Sequence, residues 1–369
     1  MRIALPYSPT LRLRKSQGEL RLAVRSEREV LVSVRSIVIR VFAALGGLLC
    51  VAAAPDPSFV PVFTVNFPDA FVLPHGSEFI AYSTNDGPNV PVAMSKDLVH
   101  WSFIGDPTTG KQRDALPQLG SWAKTGFTWA PEVLRLGDKY LLYYTASGRK
   151  EGAQCIGVAV SSDPFGPFVD NSAAPIVCQT KLGGSIDPDA FRDSDGKLYL
   201  YYKNDGNRVH TRTSLWGQPL SPDGLSVTGE PVELLKDNQA WEDRVVEAPT
   251  MVRAPAGYEL FFSGGFFGWR PEESGLSPYA MGHASCAGPL GPCTPATDNP
   301  LLHSFSDRQA GCLSGPGHQS IFSVGQRTFI SFHAWAATSG CRKGDDKRYL
   351  YIAPLFWKDG KPVIGPSLR

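Results

Sequence analysis

The chain has 369 residues, 42% apolar and 19% charged, with a formal net charge of +1. That apolar share supports a sizeable core and excludes a wholly disordered chain, and near-neutrality argues against nucleic acid as the main partner. The length admits one large domain or two ordinary ones.

The charge is unevenly placed. Residues 1–40 hold nine Arg and Lys against three Glu, and they run into VFAALGGLLCVAAA at 41–54. A basic stretch followed by an apolar run that ends in small residues has the form of an export signal. Residues 1–54 therefore read as a basic leader, and the expected location is outside the cell. The run is shorter than the roughly 18 to 20 residues of a membrane span; an uncleaved signal anchor, with the membrane as a second partner, is the alternative. Cys50 lies in this leader and six cysteines follow it. An even number fits an oxidising compartment, and neighbours along the chain suggest Cys155–Cys178, Cys286–Cys293 and Cys312–Cys341. No CxxC or Cys/His ligand cluster points to zinc.

From residue 60 onward the chain reads as short strands rich in Tyr, Phe, Val and Leu, punctuated by Gly, Asp, Asn and Pro, with no long helix. One phrase recurs: PDAFVLPHGSEFIAYST, APEVLRLGDKYLLYYTA, DPDAFRDSDGKLYLYYK, APTMVRAPAGYELFFSG and GHQSIFSVGQRTFISFH. Each is a short strand, a tight turn and an aromatic-rich strand, and the phrases start near residues 68, 131, 188, 249 and 318. Within the third, Asp193-Ser194-Asp195-Gly196 is hairpin punctuation. Repeated small antiparallel sheets cannot bury both faces alone and pack radially, so residues 60–369 read as an all-β, five-bladed propeller. A two-sheet sandwich accounts for the strands but not for their repetition.

The first strand of a blade lines the central channel, which brings together Asp69, Glu132, Asp187 with Asp189, Glu247 and His318. Crowded carboxylates raise each other's pKa and destabilise a fold. A site that needs one protonated and one ionised carboxyl has a use for them.

The ordered segments NFPDAFV, TWAPEV, GGSIDPDAF, VVEAPTM and GPGHQS resemble glycoside hydrolase family 43 over roughly residues 62–365. The resemblance implies a five-bladed propeller that cleaves arabinose- and xylose-containing polysaccharides with inversion. Inversion sets two working carboxyls about 6.5 to 9.5 Å apart, with water between base and sugar. Residue by residue, it implies Asp69 as the general base and Glu247 as the general acid. Asp187 becomes the carboxylate that orients the acid and keeps its pKa raised. The family's Asp-Pro at the base is Asp69-Ala70 here, which loosens the start of the strand without removing a functional group. The literal repeat PDAF at 68–71 and 188–191 would match Asp69 to Asp189, whereas the Asp-Pro context favours Asp187. His318, in its GPGH setting, implies a place near the axis and a structural calcium ion. Imidazole is a poor ligand for so hard a cation, so hydrogen bonding is the alternative, and no cofactor is required. Trp129 and Trp101 offer faces for stacking on sugars or for the core, and Glu132 shapes a subsite or pairs with an Arg. The implied activity is hydrolysis of α-L-arabinofuranosyl linkages in arabinan or arabinose-bearing polysaccharide. The alternatives are a β-xylosidase of the same family and a non-catalytic carbohydrate-binding propeller.

Overall fold

The computed structural model describes residues 14–16, 19–21, 58–269, 275–307, 311–338 and 341–369. It contains two compact units, Met1–Pro55 and Asp56–Arg369. In the first, Arg14–Ser16 pairs with Glu19–Arg21 as an antiparallel ribbon; the apolar run expected to direct export lies outside the described residues. Among the described residues no helix is long and apolar enough to cross a membrane.

Among the described residues, the second unit has five antiparallel blade sheets whose strands follow one another in chain order, and a two-stranded ribbon of Phe305–Asp307 with Gly311–Leu313. Blade 1 comprises Phe71–His75, Glu78–Tyr82, Val92–Ser95 and Trp101–Phe103. Blade 2 has Trp129–Leu136, Lys139–Ser147 and Gln154–Ser161, with Val169 bridging to Val160 at its outer edge. Blade 3 holds Ser185–Arg192, Leu198–Asn204, Ser214–Pro219 and Val232–Lys236. Blade 4 holds Val246–Ala254, Gly257–Gly264, Ala280–Cys286 and Cys293–Pro295. Blade 5 holds Gly317–Val324, Arg327–Thr338, Arg342–Lys358 and Lys361–Ile364. Each first strand neighbours the next, and that of blade 5 meets that of blade 1. The ring is latched where Val62 N–H and Phe67 N–H donate to the carbonyls of Leu350 and Arg348 in blade 5, at 2.9 and 2.8 Å.

The second strands explain the aromatic half of the repeated phrase. Each is sandwiched between neighbouring blades, so both of its faces are buried and it reads as a nearly continuous apolar run. Tyr143, Tyr144, Tyr201, Tyr202, Phe261, Phe262 and Phe332 are all fully buried there. The turn expected at 193–196 is present, with Gly196 at φ 86° and Asp193 N–H donating to the Lys197 carbonyl. Asp193 does more than turn the chain: it accepts from Arg253 Nε at 2.9 Å and Tyr258 Oη at 2.6 Å, tying blade 3 to blade 4. The three suggested cysteine pairs are the three disulfides.

Every first strand starts with the same irregularity. In blades 2 to 5 the register with the second strand slips by one residue, between Trp129 and Glu132, Ile186 and Asp189, Glu247 and Thr250, and Gly317 and Ser320. Blade 1 repeats it, because Thr84 pairs with Pro68 and Tyr82 with Phe71. The extra residue of each bulge is left-handed: Asp69 (φ 56°), Ala130 (45°), Asp187 (55°), Ala248 (50°) and His318 (52°). A β-bulge re-aims a side chain and twists its strand, but left-handed backbone is strained for residues other than glycine. The strain is held by a hydrogen bond across the blade boundary. Ala130 N–H donates to Thr84 Oγ1 at 2.9 Å, Asp187 N–H to Thr145 Oγ1 at 3.1 Å, and His318 N–H to Ser263 Oγ at 2.8 Å. Asp69 N–H closes the circle on His333 Nδ1 at 3.1 Å. Ala70 in place of proline leaves the bulge of blade 1 intact.

Thr145→Val keeps the shape of a fully buried side chain but strands the Asp187 N–H. Urea unfolding should show a loss of about 1 to 3 kcal/mol with an unchanged m-value.

Candidate active site

The repeated bulge decides which residues face the axis. Its left-handed position supplies Asp69, Asp187 and His318, and the position two residues further on supplies Glu132 and Asp189; all five line one cavity in the channel. Glu247 precedes the bulge of blade 4 and meets the same cluster from its rim. Asp69 and Asp187 thus hold equivalent places in blades 1 and 3, while Asp189 is equivalent to Glu132. The literal PDAF repeat is out of structural register.

Asp69 is buried beside Arg348 and two histidines. Its Oδ1 accepts from Arg348 Nη1 at 3.0 Å and lies 3.4 Å from His318 Nδ1, and its Oδ2 accepts from Thr84 Oγ1 at 2.5 Å. Burial alone would raise its pKa; Arg348 and His318 outweigh that and hold it well below the usual carboxylate range. His333, buried behind it beside Arg348, is pushed down to about 4 and is neutral near pH 7. Its Nδ1 lies 3.1 Å from the Asp69 backbone N and 3.2 Å from Asp69 Oδ1, and its Nε2 lies 3.5 Å from Arg348 Nη1.

The opposite arc carries a different balance. Burial, with the charge of Glu247 adding to it, pushes Asp187 up to about 6, against the pull of His318 and Lys203. Its Oδ2 accepts the Ala248 N–H at 3.1 Å. Glu247 accepts from Lys203 Nζ at 2.7 Å on one oxygen and from Tyr279 Oη at 2.6 Å on the other. Burial opposes ionisation of Glu247, but Lys203 and Tyr279 favour the charged form, and its pKa lies below the usual glutamate value. Of the two, Asp187 is the one that keeps its proton to higher pH, up to about 6.

Glu132 and Asp189 lie deeper in the channel and face each other, one proton between them. Glu132 Oε1 accepts the Ala190 N–H of blade 3 at 2.7 Å, and Asp189 Oδ2 accepts the Met251 N–H of blade 4 at 3.1 Å. Glu132 therefore pairs with a carboxyl, not with an Arg, and both groups staple neighbouring blades. Trp129 is half-buried at the position before the bulge of blade 2. Trp101 belongs to the core, with Nε1 donating to the Leu98 carbonyl at 2.9 Å.

Around His318 the donors do not make an oxygen-rich calcium cage. Asp69 is already engaged by Arg348 and Thr84, and among the described residues no three His, Cys, Asp or Glu side chains form a metal-binding group.

Four functional neighbours lay outside the residues singled out by sequence. Lys203 and His333 are on second strands, Tyr279 immediately precedes the third strand of blade 4, and Arg348 is on the third strand of blade 5. Lys203 left a trace, as a lone cation ending the apolar run LYLYYK. The Arg348 guanidinium lies over the rings of Phe267 and Trp335, 5.6 and 5.9 Å from their centroids. Trp335 Nε1 donates to the Phe267 carbonyl at 2.7 Å, so an aromatic wall stands beside the buried carboxylate of blade 1.

The sequence profile described as Glycosyl hydrolases family 43 matches residues 60–362. The chain belongs to this family. It is accordingly a glycosidase acting on O-glycosyl bonds. An extracellular endo-α-(1→5)-L-arabinanase of Thermotoga petrophila is 33% identical over 158 residues, 36% of this chain. The match spans a third (33%) of that protein's length. The extracellular endo-α-(1→5)-L-arabinanase 2 of Bacillus subtilis is 24% identical over 379 residues, 87% of this chain and 76% of its own. The crystal structure of a thermostable family-43 glycoside hydrolase superposes with a TM-score of 0.69 at 28% identity, covering 85% of this chain and 97% of that one. Arabinofuranosidases and xylosidases are also among the family-43 relatives.

The deep pair makes stability pH-dependent. Asp189 is raised by burial to about 7, against about 3.9 in an unfolded chain. The folded state therefore binds more protons in that window, and stability falls as pH rises from about 4 to about 7. Asp189→Asn, which still offers an acceptor to Met251 and a donor to Glu132, should flatten that slope in denaturant titrations across the same range.

Proposed function

We propose that this family-43 glycosidase is a secreted, inverting hydrolase of α-L-arabinofuranosyl linkages in arabinan or arabinose-bearing polysaccharide. The observation that carries the mechanism is the arrangement of the channel: Asp69 bound by Arg348 and Thr84 at one side, and Asp187 beside Glu247, itself gripped by Lys203 and Tyr279, at the other. An ionised Asp69 takes a proton from a water as that water attacks the anomeric carbon. Glu247 delivers a proton to the departing glycosidic oxygen, and Asp187, bonded to the backbone of the next residue in the chain, aligns Glu247 and stores the proton between turnovers. The sugar brings a neutral oxygen acceptor against Glu247 and excludes water, conditions under which the pair's proton moves to the carboxyl that faces the bond. Trp129 and the Phe267–Trp335 wall offer flat faces for pentose rings.

Arabinan is favoured over xylan by the endo-arabinanases among the relatives, and secretion by three disulfides and the basic leader. A β-xylosidase and a sugar-binding propeller without turnover are the competing outcomes. Assays on 4-nitrophenyl α-L-arabinofuranoside, 4-nitrophenyl β-D-xyloside and debranched arabinan separate the three: xyloside turnover alone, or binding without turnover, overturns the arabinan reading.

Asp69→Asn and Glu247→Gln should each lower kcat on the preferred polysaccharide by about two to four orders of magnitude with the fold intact by circular dichroism. The profile of kcat/KM against pH should be bell-shaped. Its acid limb follows Asp69 and lies below the ordinary carboxylate range; its alkaline limb falls as pH rises through about 6, where the Asp187–Glu247 pair loses its proton.

A further inference from the structure

The ring of inter-blade hydrogen bonds has one exception. Thr84, Thr145, Ser263 and His333 occupy equivalent places on second strands, and each accepts the bulge N–H of the next blade. Blade 3 places Lys203 there, paired with Ile186 as Thr145 is with Trp129 and Ser263 with Glu247. An ammonium has three donors and no acceptor, so Lys203 cannot receive the Ala248 N–H. Asp187 Oδ2 receives it instead. A neutral hydroxyl would have completed the ring without a buried charge. Lys203 is fully buried, and a charge in that position is costly unless paired. Its direct partner is Glu247, which Tyr279 grips by the other oxygen. Asp187 and Asp205 also face Lys203, and His318 and Asp187 face Glu247. Burial opposes the charge on Lys203, but these carboxylates outweigh it and keep the ammonium protonated.

We propose that Lys203 is a positioning residue for proton donation, substituting for the inter-blade acceptor of the other blades in order to pin the Glu247 carboxyl and tie its ionisation to Asp187. The proposal rests on Glu247 being the acid. Two effects follow from it. Without the cation the Asp187–Glu247 pair keeps its proton to higher pH, since a neighbouring positive charge favours the ionised form. A mispositioned acid also harms poor leaving groups most, because a nitrophenolate departs with little protonation whereas a sugar alkoxide does not.

The test measures kcat and the pH profile of kcat/KM for wild type, Lys203→Met, Lys203→Arg and Glu247→Gln. Substrates are 4-nitrophenyl α-L-arabinofuranoside and arabino-oligosaccharides, with the xylose counterparts if those are turned over. Lys203→Met should lose at least about tenfold more kcat on the oligosaccharide than on the aryl glycoside, and its alkaline limb should move upward. Lys203→Arg keeps the charge but not the geometry; it should show the selective loss with the limb unmoved, and it decides the matter if the Met variant does not fold. Equal losses on both substrates with an unmoved limb, or no loss, overturn the proposal. If Glu247→Gln is selective for poor leaving groups and the Lys203 variants are not, only the role of Lys203 fails. If Glu247→Gln itself shows no selectivity, the assignment of the acid fails.

Discussion

The structure depends on a left-handed residue at the head of each innermost strand, its N–H captured by the neighbouring blade. One bond of this kind does three jobs. It stabilises backbone that a side-chain-bearing residue otherwise avoids, it locks adjacent sheets in register around the axis, and it turns the bulged side chain into the channel. Where that side chain is alanine, as at Ala130 and Ala248, only the first two jobs are done. Where it is Asp69, Asp187 or His318, the same geometry also delivers a functional group. Scaffold and site are therefore made by a single motif, which is why a fold with five similar blades can be chemically asymmetric without distortion.

The asymmetry is electrostatic. Asp69 and Asp187 have the same backbone conformation and comparable burial, and differ in what surrounds them. Arg348 and His318 press on the first, so its charge is favoured in spite of desolvation. The second shares its surroundings with the carboxylate of Glu247, so desolvation prevails and it keeps its proton up to about pH 6. Two identical side chains are thus shifted in opposite directions by their neighbours, a division of labour that acid-base chemistry uses. His318 and Glu247 come from first strands like the acids themselves, whereas Arg348 and Lys203 come from a third and a second strand.

Buried polar groups beneath the site act as structure. Glu132 and Asp189 would repel if both were charged; protonated between them, they become acceptors for backbone N–H groups of blades 3 and 4. Each blade boundary is closed by hydrogen bonds in a low dielectric, where an unmade bond is expensive. The same reasoning explains why Lys203 stands out. It breaks a pattern that the other four second strands keep, at a point where a neutral hydroxyl would fit.

Much of this was legible in the sequence. The sixty-residue recurrence and the alternation of turn and aromatic strand specify five sheets, because a blade needs a tight turn and a second strand apolar on both faces. The Asp-Pro context of Asp187 marked it as the partner of Asp69, and the cysteines paired with their neighbours along the chain. Other features had no local signal. PDAF at 68 and at 188 look identical, yet only the slipped register shows that Asp189 corresponds to Glu132. Lys203, His333 and Arg348 reach the site across blade boundaries, and Tyr279 reaches Glu247 from just before a neighbouring strand of its own blade. Local composition determines which segments become strands and turns, since those depend on near neighbours. Ionisation depends on charges a few ångströms away in space and dozens to hundreds of residues away in the chain, so only the closed ring decides which acid keeps its proton.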